Sequence, residues 1–308
     1  SRMRSAAVIS AVATMLIMIM YSYTENSVSA ETQATNPLVA EWTGPYGGVP
    51  PFDKVKIADF KPAIEEAMEE QLKEIDAIAN NRAVPTFENT IAAMERAGEK
   101  LDRAATVYYI WSANMKTQEF AAVEREMAPK FAALADKITQ NEALFKKIET
   151  IYNSPEKSKL TPEQQRLVWV RYTNFVRAGA KLGPEQKARL SAINQELAQL
   201  FTKFSQNLLS DENDVYLVLK SEADLAGMSQ SYKDAAKAAA ESKKIANAWV
   251  ISNTRSSTDP FLTYAERRDL REQVWKMFVN RGDNADKNDN NANVAQILQL
   301  RAERAKLL

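Results

Sequence analysis

The chain has 308 residues, with 40 Lys and Arg against 40 Asp and Glu, and it contains neither histidine nor cysteine. An even charge balance gives no long-range pull toward nucleic acid or acidic lipid. The two zero counts exclude, within these residues, disulfides, thiolate metal sites, Cys nucleophiles and every imidazole acid, base or metal ligand.

Arg2 and Arg4 precede an apolar run over residues 6–20, and Val28-Ser29-Ala30 follows as an exit of small residues. The run is shorter than the ~20 residues a spanning helix needs. Positive start, short apolar centre and small-residue exit predict a secretory signal peptide over 1–30, cleaved after Ala30. A retained membrane anchor is the alternative, and a lipoprotein anchor would need a Cys. Cleavage would remove Arg2, Arg4 and Glu25, leaving 38 positive and 39 negative groups. The mature chain is then expected to be periplasmic or secreted, with no membrane contact. Ser1 and Arg2 stand ahead of the first Met, so the natural start is expected to differ.

Residues 31–56 predict an extended strap, because four prolines and three of the eight glycines fall in NPLVAEWTGPYGGVPPFDKV. Trp42, Tyr46 and Phe52 are the expected anchors onto the body. Residues 57–308 then read as one helical region. Scarce Gly and abundant Ala, Glu, Lys, Leu and Gln favour helix on side-chain and backbone entropy.

The first helix is predicted with Asp59 as cap and Pro62 in its first turn; Ile64, Met68, Leu72, Ile75 and Ile78 recur at helical spacing. Asn80-Asn81 ends it. Thr86 is the expected cap of the second helix, whose face runs Ile91, Met94 and Leu101 as far as Trp111. A third covers about 117–150, with Pro129 as a kink or break. After a linker, Thr161-Pro162-Glu163-Gln164 is a capping box with Pro at the first helical position, opening a helix to about Ala178. Gly183-Pro184 restarts the chain. The stripe Leu190, Ile193, Leu197, Leu200, Phe204 and Leu208 predicts helix-on-helix packing rather than a ligand groove.

The period then changes. DVYLVL (214–219) and AWVISN (248–253) are short and β-rich, and residues 224–242 between them are Ala-rich. That predicts two strands flanking a helix. Thr263-Tyr264-Ala265-Glu266 reads as a second capping box, with a helix to about Asn280. A polar loop and a final helix, VAQILQLRAERAKLL, follow. No cap, Gly or Pro stops this last helix before Leu308, as expected for part of a longer protein.

Motifs for chemistry mostly fail. No phosphate loop and no G-x-G-x-x-G occurs. Asp286, Asn288 and Asn290 stand at calcium-loop positions 1, 3 and 5, but Asn291 replaces the turning Gly and Ile297 the closing Glu, so a helix-capping loop is expected. The paired acids Glu65, Glu66, Glu69, Glu70, Glu124 and Glu126 read as solvated faces. Residues 253–260, NTRSSTDP, form the expected ligand-facing loop, on position alone. No catalytic, cofactor-binding or metal residue is assigned.

PPFDKVKIADFKPAIEEAM (50–68), PTFENTIAAMERAGEKLDRA (85–104), MAPKFAALADKI (127–138), FVRAGAKL (175–182), LSAINQELAQLFTKFSQNLL (190–209), DLAGMS (224–229) and NDNNANVAQILQLRAERAKLL (288–308) follow one another along the chain. Together they resemble the amino-terminal half of a bacterial peptidyl-dipeptidase of the thimet oligopeptidase family of zinc metallopeptidases. The resemblance implies an all-α fold, a multi-helix bundle forming one wall of a bilobed peptidase channel, with a small two-stranded β element. It implies short unfolded peptides as substrates and zinc held by H-E-x-x-H and a further Glu. Those residues lie in the family's carboxyl-terminal half, so this chain is expected to bind no zinc, to partner that half and to be inactive alone. The family often has a His within the segment matched by ALADKI, where this chain has Leu134 or Ala135. The rival reading is a complete periplasmic helical binding or adaptor protein without catalysis.

Overall fold

The computed structural model describes residues 35–308; the expected signal segment 1–30 and its cleavage point lie outside them. Helix α1 (Ile57–Ala79) buries Phe60, Ile64, Met68 and Ile75 along one face. Asp59 does not cap it. The helix starts at Ile57, and Asp59 Oδ2 reaches back to accept the Lys56 N–H at 2.7 Å. A carboxylate there satisfies an orphan donor and faces the positive end of the dipole.

Thr86 does cap the next segment, its hydroxyl accepting the Asn89 N–H at 3.1 Å while Asn89 Oδ1 accepts the Thr86 N–H. A π-helical turn, Phe87–Ala92, leads into α2 (Ala93–Arg96). Gly98, at φ +90°, turns the chain into α3 (Glu99–Asn114). Helix α4 (Gln118–Thr139) runs through Pro129. The backbone bond lost there belongs to the exposed Arg125, and buried Phe120, Met127 and Leu134 hold the axis on both sides. The break comes at Asn141, whose Oδ1 accepts the Leu144 N–H at 2.9 Å and opens α5 (Glu142–Asn153). The Thr161 capping box opens α6 (Pro162–Arg177).

Two apolar cores result. One joins α1, α3 and α4 around Phe60, Tyr108, Trp111 and Phe120, whose rings meet edge to face at centroid distances of 5.1–6.1 Å. The other joins the end of α1, the π turn, α5 and α6 around Ile91, Ile148 and Phe175. The strap is fastened by Leu38, Val39 and Val55, with Trp42 partly buried beside them. Tyr46 is 99% exposed and Phe52 is exposed, so neither anchors. Asn36 stitches the strap to α1, donating to Asp59 O at 2.9 Å.

Helix α7 (Pro184–Asp214) is the longest element among the described residues, 31 residues. It is followed by β1 (Tyr216–Leu219), α8 (Gln230–Ser242) and β2 (Trp249–Ser252); the strands pair antiparallel, Tyr216 opposite Ser252 and Leu219 opposite Trp249. Residues Arg255–Tyr264 form α9 and Arg268–Val279 form α10. The expected 253–260 loop is therefore mostly helix, reinforced by the Arg255–Asp259 pair one turn apart. Thr263 lies in the last turn of α9, donating to Asp259 O, and opens no helix. A third core packs α8, β1, β2, α9 and α10 around Leu225, Phe261 and Val274. The last helix, α11 (Asn291–Leu307), lays Ile297 and Leu300 on Ile193 and Leu197 of α7. The chain is thus all-α with a small two-stranded element. Among the described residues, no helix is long and apolar enough to cross a membrane.

Candidate functional site

Helices α4 and α7 lie antiparallel along nearly their whole lengths. Asn194 donates to Asp136 Oδ1 at 2.8 Å near one end. Gln206 donates to Ala121 O at 2.9 Å and to Glu124 Oε2 at 3.1 Å near the other. On α4 the facing positions include Ala121, Ala128, Ala132 and Ala135, too short to fill the seam. Three hollows therefore follow one another along it.

The first, about 400 Å³, lies among Lys116, Arg125, Gln206 and Asn213. The second, about 340 Å³, lies among Tyr109, Phe131, Phe201 and Ser205, with Glu124 and Lys116 at its edge. The third, about 530 Å³, is lined by Asp136, Arg177, Leu190, Asn194 and Leu197, with Arg304 of the last helix and Leu308 just past its end. Phe201 is the ridge shared by the last two.

Two carboxylates sit in this seam. Glu124 is buried, not solvated, its side chain 8% exposed. Lys116 Nζ pairs with it at 2.8 Å, and Ser112 Oγ and Gln206 Nε2 also donate to it. Its charge and the burial of the neighbouring Tyr108 push that phenol's pKa well above the ordinary tyrosine value, burial being the larger cause. Asp136 is 6% exposed, and its Oδ2 has no hydrogen-bond partner. Burial raises its pKa, while Asn194, Ser191 and the Arg304 charge pull the other way. Arg304 also donates to Asn194 Oδ1 at 3.3 Å.

A third buried acid, Asp211, lies at the far end of α7 and is wholly enclosed. Gly282 N–H at 2.7 Å and Asn284 Nδ2 at 3.0 Å donate to its Oδ2, and Asn288 Nδ2 at 2.9 Å to its Oδ1. The 281–290 loop is wound around this anion. Asp286 accepts the Asn288 N–H, and Asn290 donates to Phe204 O at 3.1 Å. Of the three calcium-like positions, Asn288 and Asn290 fix the loop to α7, and Asp286 braces the loop internally. Among the described residues, no group of three or more acids could hold a metal ion.

The sequence reading missed all three buried acids, yet a signal exists. Glu124 stands at helical spacing between Phe120, Met127 and Leu134, and Asp211 continues the stripe Leu200, Phe204, Leu208. A charge at an apolar register marks a buried, partnered acid. Of the acids read as solvated, Glu65 and Glu70 pair across to Lys130 and Lys100. Leu134, in the ALADKI segment, is a core residue of α4.

No family model matches the chain. Individual relatives do, over most of its length. The chain matches the amino-terminal part of dipeptidyl carboxypeptidases and oligopeptidases A of the thimet oligopeptidase family. The chain is 34% identical over 273 residues to a dipeptidyl carboxypeptidase of Escherichia coli, covering 89% of this chain and 40% of that protein. It is 33% identical over 275 residues to a dipeptidyl carboxypeptidase of Salmonella typhimurium, with coverages of 89% and 40%. An organellar oligopeptidase A of Arabidopsis thaliana is 28% identical over 290 residues, at 92% and 36%. The chain spans about two fifths of the length of these relatives.

Proposed function

We propose that these residues are the non-catalytic amino-terminal portion of a zinc metallopeptidase that releases dipeptides from the carboxyl end of short peptides. The carrying observation is the 34% identity over 89% of this chain to a dipeptidyl carboxypeptidase of which it spans only 40%. The residues in hand do not fit zinc. The sequence has no His or Cys, and the buried acids are held by Lys116, Asn194 and the 281–290 loop. No chemical step is therefore assigned to this chain. Its part is to position: the α4–α7 seam faces the peptide, and narrow walls admit unfolded chains only. The carboxyl-terminal half is its partner and supplies the metal. Export past the inner membrane, from the composition of residues 1–30, belongs to the same reading.

The test is to read the gene past Leu308 and express the whole frame beside the 308-residue chain. Dipeptide release by the long form, abolished by chelation and restored by zinc, with none from the short form, supports the proposal. A stop codon at 308 sinks it and favours the adaptor reading; release by the short form sinks both.

A further inference from the structure

We propose that the middle hollow of the α4–α7 seam is a subsite for one bulky apolar side chain of the peptide substrate. The proposal rests on the peptidase reading for the identity of the ligand as a peptide, and on the hollow itself for everything else. Tyr109 is 57% exposed and Phe201 43%, yet both border one concavity. Phe131 lies behind them, its ring 6.0 Å from Tyr109 and 5.6 Å from Tyr108. Exposed aromatic surface gathered in a hollow and rimmed by polar residues, here Ser112, Thr202 and Ser205, is the signature of a binding site rather than of scattered surface residues. An entering ring would find edges and faces at the separations aromatic groups prefer.

Charge narrows the ligand. The ionisable side chains lining the hollow are Lys116, Glu124 and the two tyrosines, and the first two are bonded to each other at 2.8 Å. The hollow is neutral, so it selects apolar side chains over acidic or basic ones. Shape narrows it further. The seam runs along most of α4, about 30 Å at 1.5 Å per residue. An extended peptide of roughly nine residues has that length. The third hollow is also walled mainly by apolar side chains but carries Asp136, Arg177 and Arg304, so an extended chain with its backbone along the seam would place its bulky apolar side chain in the aromatic middle one. A second copy of this chain is the competing occupant.

The experiment uses the protein expressed to its natural carboxyl terminus. Peptides identical except for Phe or Ala are scanned position by position, measuring kcat/KM for cleavable forms and equilibrium binding for forms with reduced, uncleavable bonds. One position should prefer Phe over Ala by about tenfold or more, the scale of burying an aromatic side chain. Phe201→Ser with Tyr109→Ser should bring that ratio to within about twofold of unity, and Trp275→Ser, exposed on α10, should leave it unchanged. Both seam positions are exposed, so the core stays intact. No preferred position, or a preference untouched by the double variant, overturns the subsite. Loss of self-association in sedimentation with the preference intact assigns the hollow to a second copy and also overturns it. Absence of hydrolysis alongside a Phe preference in binding that the double variant abolishes leaves the subsite standing and removes the peptidase reading.

Discussion

Glu124 carries its charge into a place that water scarcely reaches, and Lys116 is what makes that tolerable. Removing one partner of a buried pair leaves the other uncompensated, whereas removing both can be nearly neutral. Glu124→Ala should therefore cost about 3 kcal/mol, and Glu124→Leu with Lys116→Met should recover most of it, read by urea denaturation. If the double variant is as unstable as the single one, the pair is not the source of the loss. Asp136 has the opposite sign. Burial raises its folded-state pKa above the unfolded value of about 3.9. Between those two values the folded protein binds more protons than the unfolded, so this residue's contribution is fully favourable below the unfolded pKa and declines as pH rises through the folded one. Asp136→Asn should flatten the stability profile above about pH 4 and leave stability at neutral pH equal or higher, in denaturation midpoints across a pH series. A variant less stable at neutral pH would mean that Arg304 and Asn194 outweigh burial.

At the scale of elements, the joints decide more than the helices do. Gly47, Gly98 and Gly227 all have φ between +86° and +90°, but a Cβ meets nothing at Gly47, the tip of the Gln71 side chain at Gly98, and the Tyr264 backbone carbonyl at Gly227. A left-handed backbone costs an L residue about 1–2 kcal/mol. Alanine should therefore cost least at Gly47 and somewhat more at Gly98. At Gly227 it should cost at least about 2 kcal/mol, since the clashing carbonyl cannot rotate away. Thermal midpoints in that order support this account; equal losses at all three would refute it. Caps were legible in the same local way. Thr86 and Thr161 cap because a hydroxyl three residues before a free N–H needs no distant partner. Thr263 misleads because Arg255 and Asp259 start an earlier helix that absorbs it.

Over the whole molecule, the described residues carry outward apolar side chains on the last two helices. Trp275 and Val279 on α10, and Val294 and Leu298 on α11, are all exposed. Surface of this kind commonly marks contact with another body. The 308-residue chain alone should associate with rising concentration in sedimentation, and Leu298→Lys with Trp275→Lys should reduce that. A clean monomer at high concentration would argue that these faces need no cover. The helical class, the two strands and most helix spans were legible because period and propensity act over a few residues. Glu124, Asp136 and Asp211 were not read as buried, because their partners come from 8 to 82 residues away.

By itself the sequence determined that no imidazole or thiol chemistry resides in these residues, that they form helices with one small β pair, and that they follow the segment order of a peptidase family. Those properties depend on which residues are present and on their local spacing. Only the tertiary structure decided that α4 runs through Pro129, that Glu124 is buried, and that short side chains between α4 and α7 leave a trough with an aromatic hollow. Each of those depends on which distant faces meet, and burial, unlike helix period, is a property of the packed pair rather than of either helix alone.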